Sequence, residues 1–294
     1  MTILITGATG YIGQELVRRL QNKYHIIALV RKSSNQEELE KLECQIISFT
    51  KYKEIIEIFK STNIDGIIHC ASSVVVEHTT DDIDGLIESN ILLGTYLLEA
   101  SKYHKKIWFI NTGTFWQHYE NREYSPVNLY ASTKESFEKI AQYYTETTNL
   151  IFTTIELNDT FGPNDKRKKV FNLWKDVSKT DEKLDMSLGE QIIDMSFIED
   201  ILNAYQMLIN HLNSDRKQSF QNKKFIVTSN DRMTLKEMSK VYEKVSNTKL
   251  NIQWGGREYR DREVMVPYNR GEVVPGWKQE YSFEEALYVT INQK

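Results

Sequence analysis

A glycine-rich segment near the start of the chain, "ILITGATGYIG", constrains the fold more than any other part of the sequence. Gly7, Gly10 and Gly13 follow directly on a short apolar strand pattern and lead into an amphipathic helix pattern. Glycines at this spacing allow a tight turn and a close approach of the backbone to a pyrophosphate, which the helix N-terminus can bind. We therefore predict a dinucleotide site at this turn, with contacts from Gly7, Thr9, Gly10, Tyr11 and Ile12.

Short β-branched runs alternate with longer amphipathic segments over the first half of the chain. The predicted strands are Ile3–Thr6, His25–Val30, Gln45–Phe49, Gly66–Cys70, Ile107–Asn111 and Phe152–Leu157. The predicted helices are Ile12–Gln21, Tyr52–Lys60, Ile83–Tyr103 and Leu129–Thr147. Continuous apolar strands separated by helices predict an α/β fold of the Rossmann type, a doubly wound parallel sheet. Such sheets bind ligands at the carboxyl ends of their strands, where we also expect Ala71 to contact the cofactor.

The sequence changes in character after Leu157, where a polar loop and mixed short elements replace the alternating pattern. We expect residues 1–157 to form the dinucleotide-binding domain and residues 158–294 to form a smaller substrate-binding lobe. Some segments of this lobe are expected to return to the first domain. A last helix, Phe283–Ile291, is expected to pack back onto the body of the protein.

The composition narrows the classes of protein to which the chain can belong. A net charge of −4 and a pI near 6.0 argue against a broad surface that binds nucleic acid. The basic run Lys166–Lys169 is therefore local, either a solvated face or a contact to an anionic ligand. The sequence has neither a clustered cysteine and histidine spacing nor an apolar run of about 20 residues, so it predicts no metal site and no membrane span.

Cys44 and Cys70 lie in strand-like apolar runs, which is typical of buried reduced thiols rather than of a disulfide. The chain begins in a strand pattern, with neither a basic segment nor a cleavage site, so no signal peptide is predicted. From these two features we expect a cytoplasmic protein.

The residues at the end of the second predicted strand bear on which dinucleotide is bound. A carboxylate there would accept hydrogen bonds from the adenosine ribose and favour NAD. The sequence has Arg31 and Lys32 instead, which can pair with a 2′-phosphate, although exposed basic residues of an ordinary loop would give the same pattern. Glu37 and Glu38 follow only several residues later. NADPH is the predicted cofactor, and NAD is the alternative.

Tyr130 and Lys134, in "NLYASTKE", lie four residues apart and so share one face of the predicted helix. Thr112 ends the preceding strand near the same edge of the sheet, where we expect it to orient the reacting oxygen. A tyrosine can give a proton to a ketone that accepts a hydride, while a nearby lysine lowers the phenol pKa and hydrogen-bonds the nicotinamide ribose. Taken alone, the pair fits a surface tyrosine beside a solvated lysine equally well. The glycine loop and Thr112 favour the catalytic interpretation.

These motifs resemble the extended short-chain dehydrogenases/reductases, and the resemblance covers essentially the whole chain. That family carries "TGATGYIG" at the first turn, a Ser or Thr ahead of a Tyr-x-x-x-Lys pair, and an asparagine in the preceding helix, which matches Asn90. The resemblance implies a nucleotide-sugar substrate and a largely structural Asn90. It also implies a homodimer formed through the helices Ile83–Tyr103 and Leu129–Thr147.

Two positions beside Thr112 separate the reactions of this family. Its 4,6-dehydratases carry Asp-Glu directly after the threonine, whereas this chain has Gly113 and Thr114, which cannot act as acid and base. Reduction at C4 remains, and "GEQIIDMSFIED" resembles the family's reductases of CDP-4-keto-3,6-dideoxyhexoses in O-antigen synthesis. The alternatives are a reductase of dTDP-4-keto-6-deoxyhexoses, a 4-epimerase with bound NAD, and a non-enzymatic NADP sensor. The sensor is disfavoured because it needs no proton donor.

The resemblance also indicates which residues contact the substrate. Contacts are expected from Ser73, Thr114, Asn158 and Arg260, with Arg260 on the diphosphate. Two arginines of many relatives are absent, because Ile193 and Glu156 occupy their positions. Arg260, Arg262 or the run Lys166–Lys169 would then hold the diphosphate.

The loops after the fourth and fifth strands, "SSVVVEH" and "TFWQHY", would line a sugar pocket. Aromatic rings can pack on a sugar face, and imidazoles can hydrogen-bond its hydroxyl groups. The candidates are Trp116, Tyr119, His78 and His118, although each taken singly fits a structural or rim position as well.

Overall fold

A seven-stranded parallel sheet forms the centre of the computed structural model, which describes residues 1–180 and 182–292. Its strands are β1 (Thr2–Thr6), β2 (His25–Arg31), β3 (Gln45–Phe49), β4 (Gly66–His69), β5 (Trp108–Thr114), β6 (Ile151–Leu157) and β11 (Lys223–Val227). Six shorter strands pair outside it: β7 (Asp159–Phe161), β8 (Leu184–Met186), β9 (Ile192–Ile193), β10 (Met195–Phe197), β12 (Met233–Thr234) and β13 (Ile252–Trp254). The order across the sheet is β11-β6-β5-β4-β1-β2-β3, so the direction of winding reverses between β1 and β4. Ligands bind at this kind of switch point in open α/β sheets.

Helices cover both faces of the sheet. They are α1 (Tyr11–Leu20), α2 (Glu54–Ser61), α3 (Ile83–Ile87), α4 (Leu93–Ser101), α5 (Leu129–Thr147), α6 (Val170–Thr180), α7 (Ile198–Leu212), α8 (Leu235–Ser246) and α9 (Phe283–Asn292). One core joins α1 and α7 to one face of the sheet, and a second core joins α2, α4 and α5 to the other. The predicted doubly wound α/β fold is thereby confirmed. Over residues 1–180 and 182–292, no helix is long and apolar enough to cross a bilayer.

The central strands are apolar along their whole length because both of their faces are covered. Within β1, Ile3, Leu4 and Ile5 are fully buried, with Leu4 in one core and its two neighbours in the other. The continuous apolar runs in the sequence therefore correspond to strands inside a three-layer structure.

The predicted helix Ile83–Tyr103 is interrupted in the structure. A π-helical turn, Glu88–Leu92, separates α3 from α4, and α4 ends at Ser101. A π-turn adds one residue to the helical repeat and often marks a functional site. Asn90 lies in this turn and is fully buried.

The second half of the chain contributes to the main sheet as well as to the smaller sheets. Strand β11 pairs with β6 at the edge of the sheet, and α7 packs against α1, where Arg19 forms an ion pair with Glu199. Side chains from before and after residue 157 share one continuous core. The division of the chain into two domains at this residue stays a prediction.

Candidate active site

The glycine loop between β1 and α1 is shaped for close approach of a ligand backbone. Gly7 has a φ of +69°, and a Cβ atom on it would lie 2.5 Å from the backbone nitrogen of Ala71. A Cβ atom on Gly13 would collide with the carbonyl of Gly7. Helix α1 begins after Gly10 with no side-chain cap, so its first N–H groups are available to an anion. The loop therefore has the features that a bound pyrophosphate requires.

The other residues predicted at this turn have different roles. The Thr9 carbonyl accepts a hydrogen bond from the Gln14 side chain, and Ile12 packs into the core behind the loop. The Tyr11 hydroxyl donates to the carbonyl of Pro163 at 3.0 Å, and the Arg167 guanidinium lies 4.8 Å from the centre of its ring. Tyr11 thus links the glycine loop to the polar loop that follows β7.

The end of β2 carries positive charge. Arg31 and Lys32 are exposed, and over the described residues neither pairs with a carboxylate. Glu38 instead lies 3.2 Å from Lys41 and 3.6 Å from Lys166. An anionic group on the adenosine ribose would therefore meet two cations here.

Tyr130 lies in the first turn of α5, whose N-terminus is capped by the Asn128 side chain on the Ala131 N–H at 3.0 Å. The phenol is 8% exposed. Burial raises its pKa to about 12, the hydroxyls of Thr114 and Ser72 lower the pKa by hydrogen bonding, and the charge of Asp159 raises it. Tyr130 is therefore protonated at neutral pH.

Lys134 is 1% exposed, one helical turn after Tyr130. Burial lowers its pKa to about 8, while the nearby groups Glu138 and Cys70 act in the opposite direction. Lys134 is not among the groups that shift the Tyr130 pKa, which is raised rather than lowered. The expectation that Lys134 lowers the phenol pKa is thus not met in the structure.

The structure separates the two threonines of β5. The Thr112 hydroxyl lies 2.6 Å from the hydroxyl of Tyr205 on α7 and 3.4 Å from the Cys70 sulfur. The hydroxyl beside Tyr130 belongs to Thr114. Thr112 is therefore directed to the α7 side of the sheet, and the predicted grouping of Thr112 with Tyr130 is replaced by Thr114 with Tyr130. Strand β5 extends three residues beyond the predicted end at Asn111, which carries Thr114 to the cleft.

Asn90 holds the loop after β4 in place from inside the π-turn. Its Oδ1 accepts from the Ser72 hydroxyl at 2.9 Å and the Ser73 N–H at 2.8 Å, and its Nδ2 donates to the Ser73 carbonyl at 3.0 Å. The second Nδ2 hydrogen goes to Thr133 on α5 at 2.9 Å. Because its side chain uses all of its hydrogen-bonding capacity, Asn90 fixes Ser72 relative to the helix that carries Tyr130.

The site therefore combines a loop shaped for a pyrophosphate, a protonated phenol, and a buried lysine whose pKa is lowered to about 8. The model of the NAD dependent epimerase/dehydratase family matches residues 3–222. The chain belongs to this family. In sequence it is 27% identical to the CDP-abequose synthase of Salmonella muenchen, over 99% of this chain and 97% of that protein. The CDP-abequose synthase of Yersinia pseudotuberculosis is also 27% identical, over 91% of this chain and 92% of that protein.

Among solved structures, the UDP-glucose 4-epimerase of Thermotoga maritima, in complex with UDP-glucose, has a similar fold. The TM-score is 0.85 at 19% identity, with 99% of this chain and 97% of that chain covered. The two folds therefore match over nearly the whole chain, including the segments after β6.

Arg260 and Asn158, two residues predicted to contact the substrate, lie in different surroundings. Arg260 is half-buried, with its guanidinium 5.8 Å from the Trp116 ring and paired with Glu263 at 2.8 Å. Trp116 in turn meets Tyr130 edge-on, with 6.2 Å between ring centres. Arg260 is thus connected to Tyr130 through one indole ring.

Asn158 is directed away from the cleft. Its Nδ2 donates to the Val227 carbonyl on β11, and its Oδ1 is buried with no partner among the described residues. The charge of the next residue, Asp159, raises the pKa of both Tyr130 and Arg260. The substrate contact of Asn158 stays a prediction.

The remaining candidates fall at the rim or behind the site. Ser73 contributes its backbone to the Asn90 contacts, and His78 is exposed. Arg262 stacks on Tyr119 with 4.1 Å to the ring centre. In the basic run, Lys169 pairs with Asp159 at 2.7 Å. Within the described ranges, no group of three His, Cys, Asp or Glu residues is arranged for a metal ion.

His118 and Glu156 form a buried pair behind β5. The two side chains are 5% and 2% exposed, and Nε2 lies 3.0 Å from the carboxylate. The other ring nitrogen lies 3.1 Å from the Arg122 carbonyl, and the ring stacks on Tyr268. Because both nitrogens face oxygen atoms, the imidazolium form satisfies both contacts. Burial alone would lower the His118 pKa, but the Glu156 hydrogen bond and charge leave it raised.

Proposed function

We propose that the protein reduces the C4 ketone of a CDP- or dTDP-linked 4-keto-6-deoxy or 4-keto-3,6-dideoxy hexose with NADPH, in the synthesis of a surface polysaccharide. The observation that carries this proposal is the burial of Tyr130 among uncharged hydrogen-bond partners. Its hydrogen-bond partners are two hydroxyls, and a phenol with a pKa of about 12 keeps its proton until charge develops on an acceptor. Gly113 offers no acid or base beside it, which disfavours dehydration. The similarity to two CDP-abequose synthases supports the substrate class.

The side chains divide the work at the ketone. When bound, the reduced nicotinamide supplies a hydride to C4, and the C4 oxygen gains negative charge. Tyr130 transfers its phenolic proton to that oxygen, and Thr114 hydrogen-bonds it and fixes its orientation. Lys134 would hydrogen-bond the nicotinamide ribose and stabilise the phenolate that remains on Tyr130. Arg260, with Trp116 beneath it, is assigned to the diphosphate.

The proposal of NADPH rests on the end of β2. Arg31 and Lys32 are exposed there, whereas Glu38, an acid that follows the strand in sequence, lies beside Lys41 and Lys166. A 2′-phosphate can form charge-assisted hydrogen bonds with the two cations. Gly7, Gly10 and the uncapped start of α1 would hold the pyrophosphate.

The proposed enzyme is a cytoplasmic homodimer. Apolar side chains at the surface of α3 and α5 support the dimer, since Ile83, Ile87 and Tyr143 are 39%, 40% and 59% exposed. These helices correspond to the segments expected to meet a second copy.

The function is tested by mixing the purified protein with CDP-4-keto-3,6-dideoxyglucose or dTDP-4-keto-6-deoxyglucose and following the absorbance of NADPH. We expect oxidation of NADPH and a nucleotide-linked alcohol in the mass spectrum. NADH should be at least about tenfold poorer in kcat/KM, because one charge-assisted hydrogen bond contributes about 1.5–3 kcal/mol.

Failure to oxidise NADPH with either class of nucleotide would contradict the proposal. The 4-epimerase is the second candidate, because the fold resembles a UDP-glucose 4-epimerase. Retention of NAD through purification, with turnover in the absence of added cofactor, would favour it.

A further inference from the structure

A cluster of buried charges lies on the third turn of α5, behind the proposed catalytic residues. Glu135, Glu138 and Glu156 are 6%, 8% and 2% exposed. All three surround the ammonium group of Lys224 on β11, at 3.2 Å, 2.5 Å and 3.8 Å. His118 pairs with Glu156 at the far side of the cluster.

Stability does not account for this cluster. Removing charges from water costs several kcal/mol per ion, and apolar side chains of similar volume are often neutral or stabilising in place of a buried ion pair. The three carboxylates meet Lys224, Lys139 at 3.3 Å from Glu135, and the imidazole of His118, so the cluster takes several ionisable groups out of water. Burial raises the pKa of Glu138 even though Lys224 opposes the shift. Such an arrangement needs a functional explanation.

Glu138 is the member of the cluster that shares a helix face with Lys134. It lies one helical turn after Lys134, so the two side chains share a face of α5. Its Oε1 accepts a hydrogen bond from Gln117 Nε2 at 3.2 Å, and Gln117 Oε1 accepts from the Thr114 N–H at 3.1 Å. Glu138 is thus held between Lys134 and the strand end that carries Thr114.

The groups that face Lys134 are few. From β4 they are the buried His69, which is neutral because burial lowers its pKa to about 3, and Cys70. From α5 the charged group is Glu138. Glu138 is therefore the carboxylate that can favour the charged form of this buried lysine.

We propose that Glu138 is a positioning residue of the active site, which favours the charged form of Lys134 from one helical turn away while Gln117 and Lys224 hold its carboxylate there. The inference rests on the proposed function, because it assigns Lys134 to the nicotinamide ribose. It extends that function by connecting the lysine, through Glu138 and Lys224, to β11 at the edge of the sheet.

The test is an NMR titration of protein labelled with 13C at the lysine side chains, with the Lys134 signal identified by its loss in Lys134→Met. In the parent protein we expect a midpoint near pH 8. In Glu138→Gln the midpoint should fall by about one pH unit, because an opposite charge close to a titrating group shifts its pKa by about 1–3 units. The kcat of NADPH-dependent reduction should then be lost at correspondingly lower pH on the alkaline side.

Glu135→Gln is the matched control. Glu135 lies on the same helix, also bonds Gln117 and Lys224, and does not act on the Lys134 pKa. Its substitution should leave the Lys134 midpoint where it is in the parent. If Glu138→Gln does not fold, Glu138→Asp withdraws the carboxylate by one methylene and should give a smaller shift in the same direction. Equal midpoints in the parent and the folded Glu138 variant would overturn the inference.

The titration needs no sugar substrate, so the two proposals fail separately. An inactive protein with a shifted Lys134 midpoint would contradict the proposed reaction alone. An active protein with an unshifted midpoint would contradict the role of Glu138 alone.

Discussion

Helix α5 meets two regions of different chemistry. Around Tyr130 the hydrogen-bond partners are uncharged, with the hydroxyls of Ser72 and Thr114 beside the phenol and Asn90 behind them, and Asp159 is the charged group that acts on the phenol pKa. Around Glu138, two turns later, three carboxylates share the ammonium of Lys224. Lys134 lies between the neutral region and the charged region.

The difference matches what each side chain must do in the proposed reaction. A proton donor should keep its proton until the acceptor becomes basic, and burial raises the phenol pKa to about 12 although its two hydroxyl partners lower it. A lysine that binds a ribose and faces a phenolate should be charged, and burial works against that by lowering its pKa to about 8. The neutral region thus serves the donor, and the charged region supports the lysine.

Removing the phenolic hydroxyl should give the largest effect. Tyr130→Phe deletes the group that protonates the ketone oxygen, and positioned acids contribute about 10²–10⁴-fold, so kcat should fall by about that factor. The affinity for NADPH, measured by fluorescence titration, should change little. Tyr205→Phe removes another buried hydroxyl, on the α7 side of the sheet, and should retain most of the activity. Similar losses of kcat in both variants would show that the reaction has no special need of the Tyr130 hydroxyl.

Replacing each threonine of β5 by valine should distinguish the hydroxyl beside Tyr205 from the hydroxyl beside Tyr130. Thr114→Val removes the hydroxyl beside Tyr130 and should lower kcat about 10²-fold, as the loss of one oriented donor does in oxyanion sites. Thr112→Val leaves the buried Tyr205 hydroxyl without its partner, which should cost about 1–3 kcal/mol of stability with a much smaller effect on kcat. Urea unfolding and steady-state kinetics on both variants distinguish these outcomes. If Thr112→Val lowers kcat strongly and Thr114→Val does not, the hydroxyl that orients the ketone oxygen is that of Thr112.

Lys134→Met should remove activity and yet stabilise the unliganded protein. The lysine pKa falls from 10.5 to about 8 on folding, so keeping it charged at pH 7 costs up to about 3 kcal/mol. We expect the free energy of unfolding to rise by about 1–3 kcal/mol in the variant, measured by urea unfolding at pH 7. Because the folded pKa is the lower one, the stability of the parent should increase as the pH rises from 8 towards 10.5, and the variant should lack this increase. A less stable variant at pH 7 would mean that the charged region fully compensates the buried lysine.

Local pattern was enough to predict the fold. The apolar runs and glycine turn identified the first six strands of the main sheet to within a few residues, and the predicted helix Leu129–Thr147 has those bounds in the structure. The prediction of one continuous helix over Ile83–Tyr103 was wrong in the middle of this segment, because apolar periodicity does not reveal a π-turn. Strand β11 was not predicted, since its place beside β6 depends on pairing between distant segments.

The site was predictable where one segment defines it, as at the glycine loop and the Tyr130–Lys134 pair. It was not predictable where several segments converge. Glu138 gave no signal in the sequence, and Ser72 was included only as part of the loop "SSVVVEH", because their roles depend on which side chains the fold brings beside them. Glu156 was noted only as a missing arginine, although a carboxylate inside an apolar strand such as "FTTIEL" indicates a buried cation nearby, here Lys224.

The position of Lys224 also bears on how the protein is made. A ribosome completes all three carboxylates of the charged region before it adds Lys224, which lies in the strand that closes the edge of the sheet beside β6. A nascent chain that ends before β11 would hold these carboxylates without their cation and would expose the backbone edge of β6. The family match itself ends at residue 222, one position before that strand begins. Helix α5 therefore reaches its final environment late in synthesis, once β11 has paired with β6.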